Sequence, residues 1–238
     1  IPLLLSISAS VLLIGSFPNF HYSLVVWVCL VPLCLSIRGQ RPLKGFLLSF
    51  TCGVLFWSGL VYWLVNVPKY TLRHYAILMP YMGFFFGLFG LILCFTEKRL
   101  GVTAGLASAP FVWVGLEYLR AHIAWLSLPW GMLAHSQYQN LPMIQISTFT
   151  GAYGVSFLIL AANSSITLFL VMLFGKIRRQ IDAPRFSSCL MIGFITAGLV
   201  GGSYVYGLTV LSHPLQGDEI RISVIQGNIA QDRKWDQT

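Results

Sequence analysis

Apolar runs long enough to cross a membrane recur along almost the whole of this chain, and they constrain its fold more than any single motif. A transmembrane α-helix needs about 20 predominantly apolar residues to span a hydrocarbon core about 30 Å thick. Apolar residues make up 56% of the 238 residues and charged residues only 9%, against roughly 25% charged residues in a soluble domain. The sequence therefore predicts an α-helical polytopic membrane bundle. Hydropathy divides it into seven candidate spans: Pro2–Phe17, Tyr22–Ile37, Gly45–Asn66, Ala76–Thr96, Gly101–Leu119, Ile146–Phe174 and Ser187–Leu211.

The first apolar run differs from a secretory signal peptide. It has neither an initiator Met nor a basic segment before its apolar stretch, and a signal peptide carries both. We therefore interpret it as a helix of the bundle and expect the chain to be truncated at both ends.

The distribution of Lys and Arg predicts how the bundle is oriented, because basic connections resist translocation. The first, third and fifth connections carry three basic residues, Lys69, Arg73 and Arg120. The second, fourth and sixth carry nine: Arg38, Arg41, Lys44, Lys98, Arg99, Lys176, Arg178, Arg179 and Arg185. We therefore expect the even-numbered connections in the cytoplasm and the segment from Ser212 onward on the outer face. The net charge of +8 then favours contact with anionic membrane lipid and argues against nucleic acid as a partner.

Side chains that bind metals or act as nucleophiles are scattered along the chain. The cysteines all fall inside predicted spans, where lipid disfavours the thiolate, and none forms a CxxC pair: Cys29, Cys34, Cys52, Cys94 and Cys189. The histidines lie near span ends: His21, His74, His122, His135 and His213. The sequence therefore predicts no metal site, no cofactor and no nucleophile among these cysteines.

Pairs of small residues four positions apart predict close approach between helices in lipid. There are three such pairs: Gly83/Gly87, Gly101/Gly105 and Gly198/Gly202. They indicate packing and carry no prediction of function.

An acidic and a basic residue lie near the outer end of the fifth span. Glu117 and Arg120 are three residues apart, which places them on one face of a helix and allows them to pair. Such charges in a membrane helix usually face a cavity, a partner or the interface. The alternative is a pair that extends to the interface without a ligand.

The connection of about 25 residues after Arg120 is aromatic and contains few charges. It includes Trp125, Pro129 and Trp130, a composition that suits a segment lying in the headgroup layer. Long connections of this kind are often functional. The alternative is an aromatic belt that binds no ligand.

The C-terminal segment changes character from apolar helix to a β pattern. Ile220, Ile222, Val224 and Gln226 alternate with their neighbours, as in a strand buried in a layered sheet. "QGN" then supplies turn residues, and a charged run follows. We therefore expect a transmembrane domain over residues 1–211 and the first strand of a soluble α/β domain within residues 212–238.

Three blocks of the chain resemble one family in their order and spacing. They are "VLFWSGLVYWL" at 54–64, "APFVWVGLEYLR", "LPWGMLAHSQ" and "TGAYGVSFLIL" within 109–160, and "ISVIQGNIAQDRKWD" at 222–236. The last block is the most specific, and together they resemble the apolipoprotein N-acyltransferases. The second block has "AHSQ" where a GYSQ-like run is usual.

The resemblance implies a membrane bundle in the bacterial inner membrane, followed by a periplasmic nitrilase-like (CN hydrolase) domain and one further span. It implies an acyltransferase of lipoprotein biosynthesis with two substrates, a phospholipid acyl donor and a diacylated apolipoprotein. The catalytic Glu, Lys and Cys of the family lie beyond the end of this chain. No catalytic residue is therefore assigned here, and we expect these 238 residues alone to be inactive.

The resemblance also gives expectations for individual residues. Trp235 of the "KWD" run and Trp130 of the aromatic connection are expected to contact substrate. Trp235 has the alternative of packing on the domain core or the interface. Glu117 and Arg120 are expected to form a structural pair that holds the outer connection.

Two other classes of protein share seven apolar spans. A polytopic transporter would carry polar or broken helices near mid-membrane, whereas the ionisable groups of this chain stay near the span ends. A non-catalytic membrane scaffold is the second alternative for the polypeptide taken by itself.

Overall fold

The predicted helical membrane bundle is confirmed by a computed structural model, which describes residues 1–18, 20, 22–67, 70–177, 184–213, 220–229 and 233. The described residues form eight α-helices: α1 (Pro2–Ser16), α2 (Val31–Ile37), α3 (Pro42–Leu60), α4 (Leu72–Leu100), α5 (Val102–His122), α6 (Leu141–Ile144), α7 (Ser147–Ile177) and α8 (Phe186–Ser212). Short 3₁₀ helices lie between them at Ser23–Trp27, Tyr62–Asn66, Ala124–Leu126 and Leu133–Gln137. Five helices, α3, α4, α5, α7 and α8, are long and apolar enough to cross a membrane.

The first two apolar runs fold into shorter elements than the sequence predicts. Helix α1 has 15 residues and is about 22 Å long at 1.5 Å per residue. The span predicted at Tyr22–Ile37 is not one continuous helix, because a 3₁₀ helix and a turn precede α2. Pro32 lies in the first turn of α2, where a residue without an N–H is tolerated. The helix cannot extend further towards the N-terminus, because the proline ring would clash with the carbonyl of the residue four positions earlier. Hydropathy detects the apolar run but not this break.

Helices α3 and α4 form the most extensive helix pair of the bundle. Glycines bring their backbones together: a Cβ on Gly53 would lie 2.6 Å from the Cβ of Phe86, and one on Gly83 would lie 3.1 Å from the backbone nitrogen of Val54. The close approach predicted for the Gly83/Gly87 pair is therefore confirmed. Gly198 and Gly202 of α8 have no atom of the described structure within 4 Å of a Cβ position.

The helix ends define two faces of the bundle. At the basic end, which comprises residues 38–44 and 97–102, the backbone N–H of Gly39 donates to Oε2 of Glu97 at 3.3 Å. At the loop end, which comprises residues 58–75 and 120–146, the Tyr75 hydroxyl donates to the Ser58 carbonyl at 2.5 Å. Gly207 of α8 packs against Pro142 of α6, so the C-terminal part of α8 also lies towards the loop end.

Residues 220–229, which follow α8, contain neither helix nor strand. The predicted strand is therefore not formed within the described residues, and Ile222, Val224 and Ile225 are fully exposed. A strand requires a neighbouring strand to pair with its backbone groups, and the described residues supply none. Asn228 has a φ of +46°, but residues 226–228 do not form a turn, so the turn predicted at "QGN" is not seen within the described residues.

Candidate functional site

The last two turns of α5 direct two charged side chains towards the aromatic connection. Glu117 and Arg120 are both buried, and they lie on one face of the helix as predicted. Glu117 Oε1 accepts hydrogen bonds from the indole Nε1 of Trp113 at 2.9 Å and the backbone N–H of Leu133 at 2.9 Å. The carboxylate therefore links α5 to the 3₁₀ helix that closes the connection.

Arg120 holds the middle of the same connection. Its Nη1 donates to the carbonyl of Leu128 at 2.6 Å and to that of Trp130 at 2.7 Å. The backbone N–H of Leu128 donates in return to the Arg120 carbonyl at 3.1 Å. Charge-assisted hydrogen bonds of this length are among the stronger ones in proteins, so Arg120 fixes the path of residues 128–130.

Glu117 and Arg120 do not form an ion pair within 4.0 Å. Of the residues that the structure describes, those that form an ion pair within 4.0 Å are Arg38 and Glu97. The guanidinium of Arg120 instead binds the two carbonyls, and the carboxylate of Glu117 binds N–H groups. Each side chain therefore binds backbone groups of the connection separately. The ion pair expected between Glu117 and Arg120 is not formed, but both residues hold the same connection.

Trp57 of α3 completes this arrangement from the opposite side. Arg120 Cζ lies 5.1 Å from the centroid of the buried Trp57 ring, within the range of a cation–π contact. Gly131 passes over the same ring with a φ of +58°. A Cβ at Gly131 would lie 2.7 Å from Cδ2 of Leu60. Glycine suits this position for two reasons, because it adopts the left-handed conformation readily and has no Cβ to clash.

A cleft lies beneath the connection, between α4 and α5. Aromatic and aliphatic side chains form most of its wall, and the charged groups lie at one side. The lining residues are Phe85, Phe86, Trp113, Leu116, Glu117, Arg120 and Gly131. The buried Oε2 of Glu117 has no hydrogen-bond partner among the described residues. The wall of the cleft is therefore mainly apolar, with the Glu117 carboxylate and the Arg120 guanidinium at one side.

The two tryptophans expected to contact substrate fall in different places. Trp130 is half-exposed, and its ring centroid lies 6.0 Å from that of Trp63. Its carbonyl binds Arg120, but its ring is not part of the cleft wall. Trp235 lies outside the described residues. The expectation that either contacts substrate stays a prediction.

Gln137, at the end of the connection, anchors it to the first half of the chain. Its Nε2 donates to the Ser23 carbonyl at 2.8 Å, and its Oε1 accepts from the Trp27 indole at 3.3 Å. Gln137 is fully buried, and sequence reasoning assigned it no role. The signal that would have found it is a long amide side chain in a connection with few charges, because a buried amide needs partners.

His135 lies in the same 3₁₀ helix as Gln137. Partial burial and the positive charge of Arg120 lower the pKa of His135 below its usual range. The neutral imidazole is therefore favoured beside the guanidinium.

Nucleophilic and metal-binding chemistry has little support in the described part of the chain. The five cysteines are buried and form no disulfide within the described residues, and none lines this cleft. Among the described residues no three His, Cys, Asp or Glu side chains come together as metal ligands. The described residues that line the cleft thus include neither a cysteine nor a cluster of metal ligands.

The fold and the site define a multi-pass helical membrane protein with an apolar, aromatic cleft under a fixed connection at one end. Residues 9–165 match the model of the apolipoprotein N-acyltransferase N-terminal domain. The chain therefore belongs to the apolipoprotein N-acyltransferase family.

Curated relatives match almost the whole chain. An apolipoprotein N-acyltransferase of Geobacter metallireducens is 33% identical over 241 residues, which covers 98% of this chain and 44% of the relative. Those of Chlorobaculum tepidum and Gloeobacter violaceus are 27% and 28% identical, over 99% and 92% of this chain and 43% and 41% of the relatives. The chain thus spans less than half the length of these relatives.

Proposed function

We propose that this chain is the membrane part of an enzyme that transfers an acyl chain from a phospholipid to a diacylated apolipoprotein. The observation that carries the proposal is the family match over residues 9–165. The apolar cleft at the loop end supports it, because both substrates are lipids or lipid-anchored and their reacting groups lie at headgroup level.

The proposed chemistry has two acyl-transfer steps. A cysteine thiolate attacks the ester carbonyl of the phospholipid, and collapse of the tetrahedral intermediate leaves a thioester and expels the lysophospholipid alcohol, which takes up a proton. The α-amine of the S-diacylglyceryl cysteine then attacks the thioester, loses a proton and releases the thiol. A lysine would stabilise the oxyanion in each step.

The residues of this chain would bind and position substrates without entering the covalent steps. The catalytic Glu, Lys and Cys implied by the resemblance have no counterpart within residues 1–238. We propose that the cleft holds part of an acyl chain and that Trp130 and Trp235 border the approach to it. Glu117 and Arg120 would keep the connection closed over the cleft.

The proposed topology places this site on the periplasmic side of the bacterial inner membrane. Seven spans, counting α1 and residues 23–37 as two short ones, put the segment after α8 on the side opposite the basic end. The nine-to-three distribution of basic residues supports this orientation. Residues 220–226 would then form the first strand of a nitrilase-like domain once its neighbouring strands are present.

The proposal is tested by complementation in a bacterium depleted of its own apolipoprotein N-acyltransferase. The full-length gene product containing these residues should restore N-acylation, which is read as a mass gain of one acyl chain on the N-terminal peptide of a lipoprotein. Residues 1–238 alone should leave the peptide diacylated. An unchanged peptide with the folded, membrane-inserted full-length protein would contradict the proposed reaction, and acylation by residues 1–238 would contradict the assignment of catalysis to other residues.

A further inference from the structure

The basic end of the bundle contains a second cleft, separate from the site under the connection. It lies among α2, α4, α5 and α7. Its polar wall comes from Arg38, Glu97 and Thr167, and its apolar wall includes Val102 and Leu106. Its position at the helix ends places it at the headgroup level of the opposite leaflet from the loop end.

Arg38 is the cation of this cleft, and its guanidinium is incompletely satisfied. Its Nε is buried and has no hydrogen-bond partner among the described residues. The nearest acidic group is Glu97, whose Oε1 lies 4.0 Å from this nitrogen, too far for a hydrogen bond. Glu97 Oε2 is directed elsewhere, since it accepts the backbone N–H of Gly39. The cleft therefore retains an N–H donor on a positive group.

Further basic side chains belong to the same two segments of the basic end. Arg41, Lys44, Lys98 and Arg99 are exposed and follow within a few residues of the cleft wall. Within residues 38–44 and 97–102, all of which the structure describes, they make with Arg38 five basic side chains against one carboxylate, that of Glu97, so the basic end attracts anions. The N-terminus of α5 adds to this field: Gly101 has no side-chain cap and the first turn has no acidic residue, and free N–H groups at a helix start favour negative charge.

The interior beneath the cleft is apolar. A separate cluster of buried residues lies there, comprising Cys34, Leu106, Leu168, Met172 and Cys189, with Val102 and Ile192 packed against it. The cleft thus presents a cationic rim above an apolar wall, and Arg is the side chain best suited to bind phosphate oxygens in pairs.

We propose that the cleft at the basic end binds a phosphate group, with Arg38 as its principal ligand. The source is either the headgroup of an anionic phospholipid, whose acyl chains would run along the apolar wall, or free phosphate. This site is distinct from the cleft at the loop end and does not depend on the acyl-transfer reaction.

Three variants test the proposal in the full-length protein, purified in a neutral detergent. Arg38→Gln should weaken binding about 10-fold, because it removes a charge-assisted contact. Glu97→Gln should tighten binding about 3-fold, since it removes the competing carboxylate but still accepts the Gly39 N–H. Arg41→Gln is the matched control: it removes the same charge from the exposed rim and should change binding less than about 2-fold.

Two probes distinguish the sources. Native mass spectrometry counts phosphatidylglycerol and phosphatidylcholine molecules bound to each variant, and ³¹P NMR measures binding of inorganic phosphate. We expect binding to be strongest in Glu97→Gln, intermediate in wild type and weakest in Arg38→Gln. This order with phosphatidylglycerol assigns the site to a lipid headgroup. The same order with inorganic phosphate shows that the phosphate group suffices.

Equal effects of Arg38→Gln and Arg41→Gln with both probes would overturn the proposal. So would weaker binding in Glu97→Gln with both probes, or equal binding of the two lipids by every variant together with equal binding of inorganic phosphate by every variant. If Arg38→Gln does not fold, as judged by its thermal unfolding in detergent, the direction of change in Glu97→Gln still decides.

Discussion

Glu117 acts on the connection through the acceptor capacity of one carboxylate oxygen. Oε1 receives two N–H groups, from Trp113 and Leu133, whereas Oε2 has no partner among the described residues. An amide oxygen can accept the same two hydrogen bonds. The geometry therefore predicts that the negative charge contributes less to holding the connection than the acceptor does.

A pair of substitutions at Glu117 separates these contributions. Glu117→Ala leaves two buried N–H groups unpaired and should lower the free energy of unfolding by about 2–4 kcal/mol. Glu117→Gln keeps the acceptor and should cost less than about 1 kcal/mol. Detergent-induced unfolding and protease cleavage within residues 123–132 measure the two effects, and equal losses in both variants would show that the charge itself is required.

Gly131 offers a second test at this scale. Alanine there meets a left-handed backbone with a φ of +58° and a side chain position 2.7 Å from Leu60, so Gly131→Ala should destabilise the protein by about 2 kcal/mol. Gly115→Ala in α5 is the control, because a Cβ there has no neighbour within 4 Å and alanine favours a helix by about 0.5–1 kcal/mol. Thermal unfolding of both variants should give opposite signs; similar changes would contradict the close packing.

The site residues differ in how far sequence alone predicted them. Glu117 and Arg120 were identifiable from the sequence, because a charged side chain in an apolar run is energetically costly. Such a residue is therefore expected to have a binding partner or a functional role. Trp57 was not, since a tryptophan in such a run resembles any core or interfacial residue. Its contact with Arg120 forms only when α3 and α5 pack together. The local sequence around either residue does not predict that packing.

At the scale of elements, the first half of the chain shows what hydropathy leaves out. The run at residues 22–37 is apolar throughout, but its backbone leaves the helix before Pro32. The resulting free groups are bound by Asn163 of α7: its Oδ1 accepts the N–H of Leu30 at 2.8 Å, and its Nδ2 donates to the carbonyl of Val26 at 2.9 Å. A broken segment inside a membrane protein needs such partners.

Replacing Asn163 should therefore release this segment. Asn163→Leu keeps the branched shape of the side chain but leaves the Leu30 N–H unpaired and the Val26 carbonyl with the Cys29 thiol alone, and we expect a loss of about 2 kcal/mol in unfolding free energy. Hydrogen exchange should rise at residues 26–31 in particular. The control is Ser203→Ala on α8, where an exposed hydroxyl bonds only to a carbonyl of its own helix; equal changes in the two variants would rule out the anchoring role.

At the scale of the whole molecule, the distribution of basic residues and the packing of the helices indicate the same two ends of the bundle, the basic end and the loop end. The contact of Gly39 with Glu97 joins two basic connections, which the sequence had placed on one side. Five of the seven predicted spans are long helices in the described structure, and their positions were predictable because each is apolar over its own length. The exposed C-terminal segment was not, because a strand depends on partners that lie elsewhere in a sheet.

The orientation of these two ends can be measured with the chain's own cysteines left in place. All five are buried, so a thiol reagent should react mainly with one introduced cysteine. Gln139→Cys at the loop end and Lys44→Cys at the basic end both replace exposed polar residues. On intact spheroplasts, a membrane-impermeant maleimide should label Gln139→Cys and leave Lys44→Cys unmodified until the cells are lysed, because basic connections are retained in the cytoplasm. Labelling of Lys44→Cys in intact spheroplasts, with Gln139→Cys protected, would invert the bundle and place its cleft at the cytoplasmic leaflet, where a periplasmic acyl transfer could not use it.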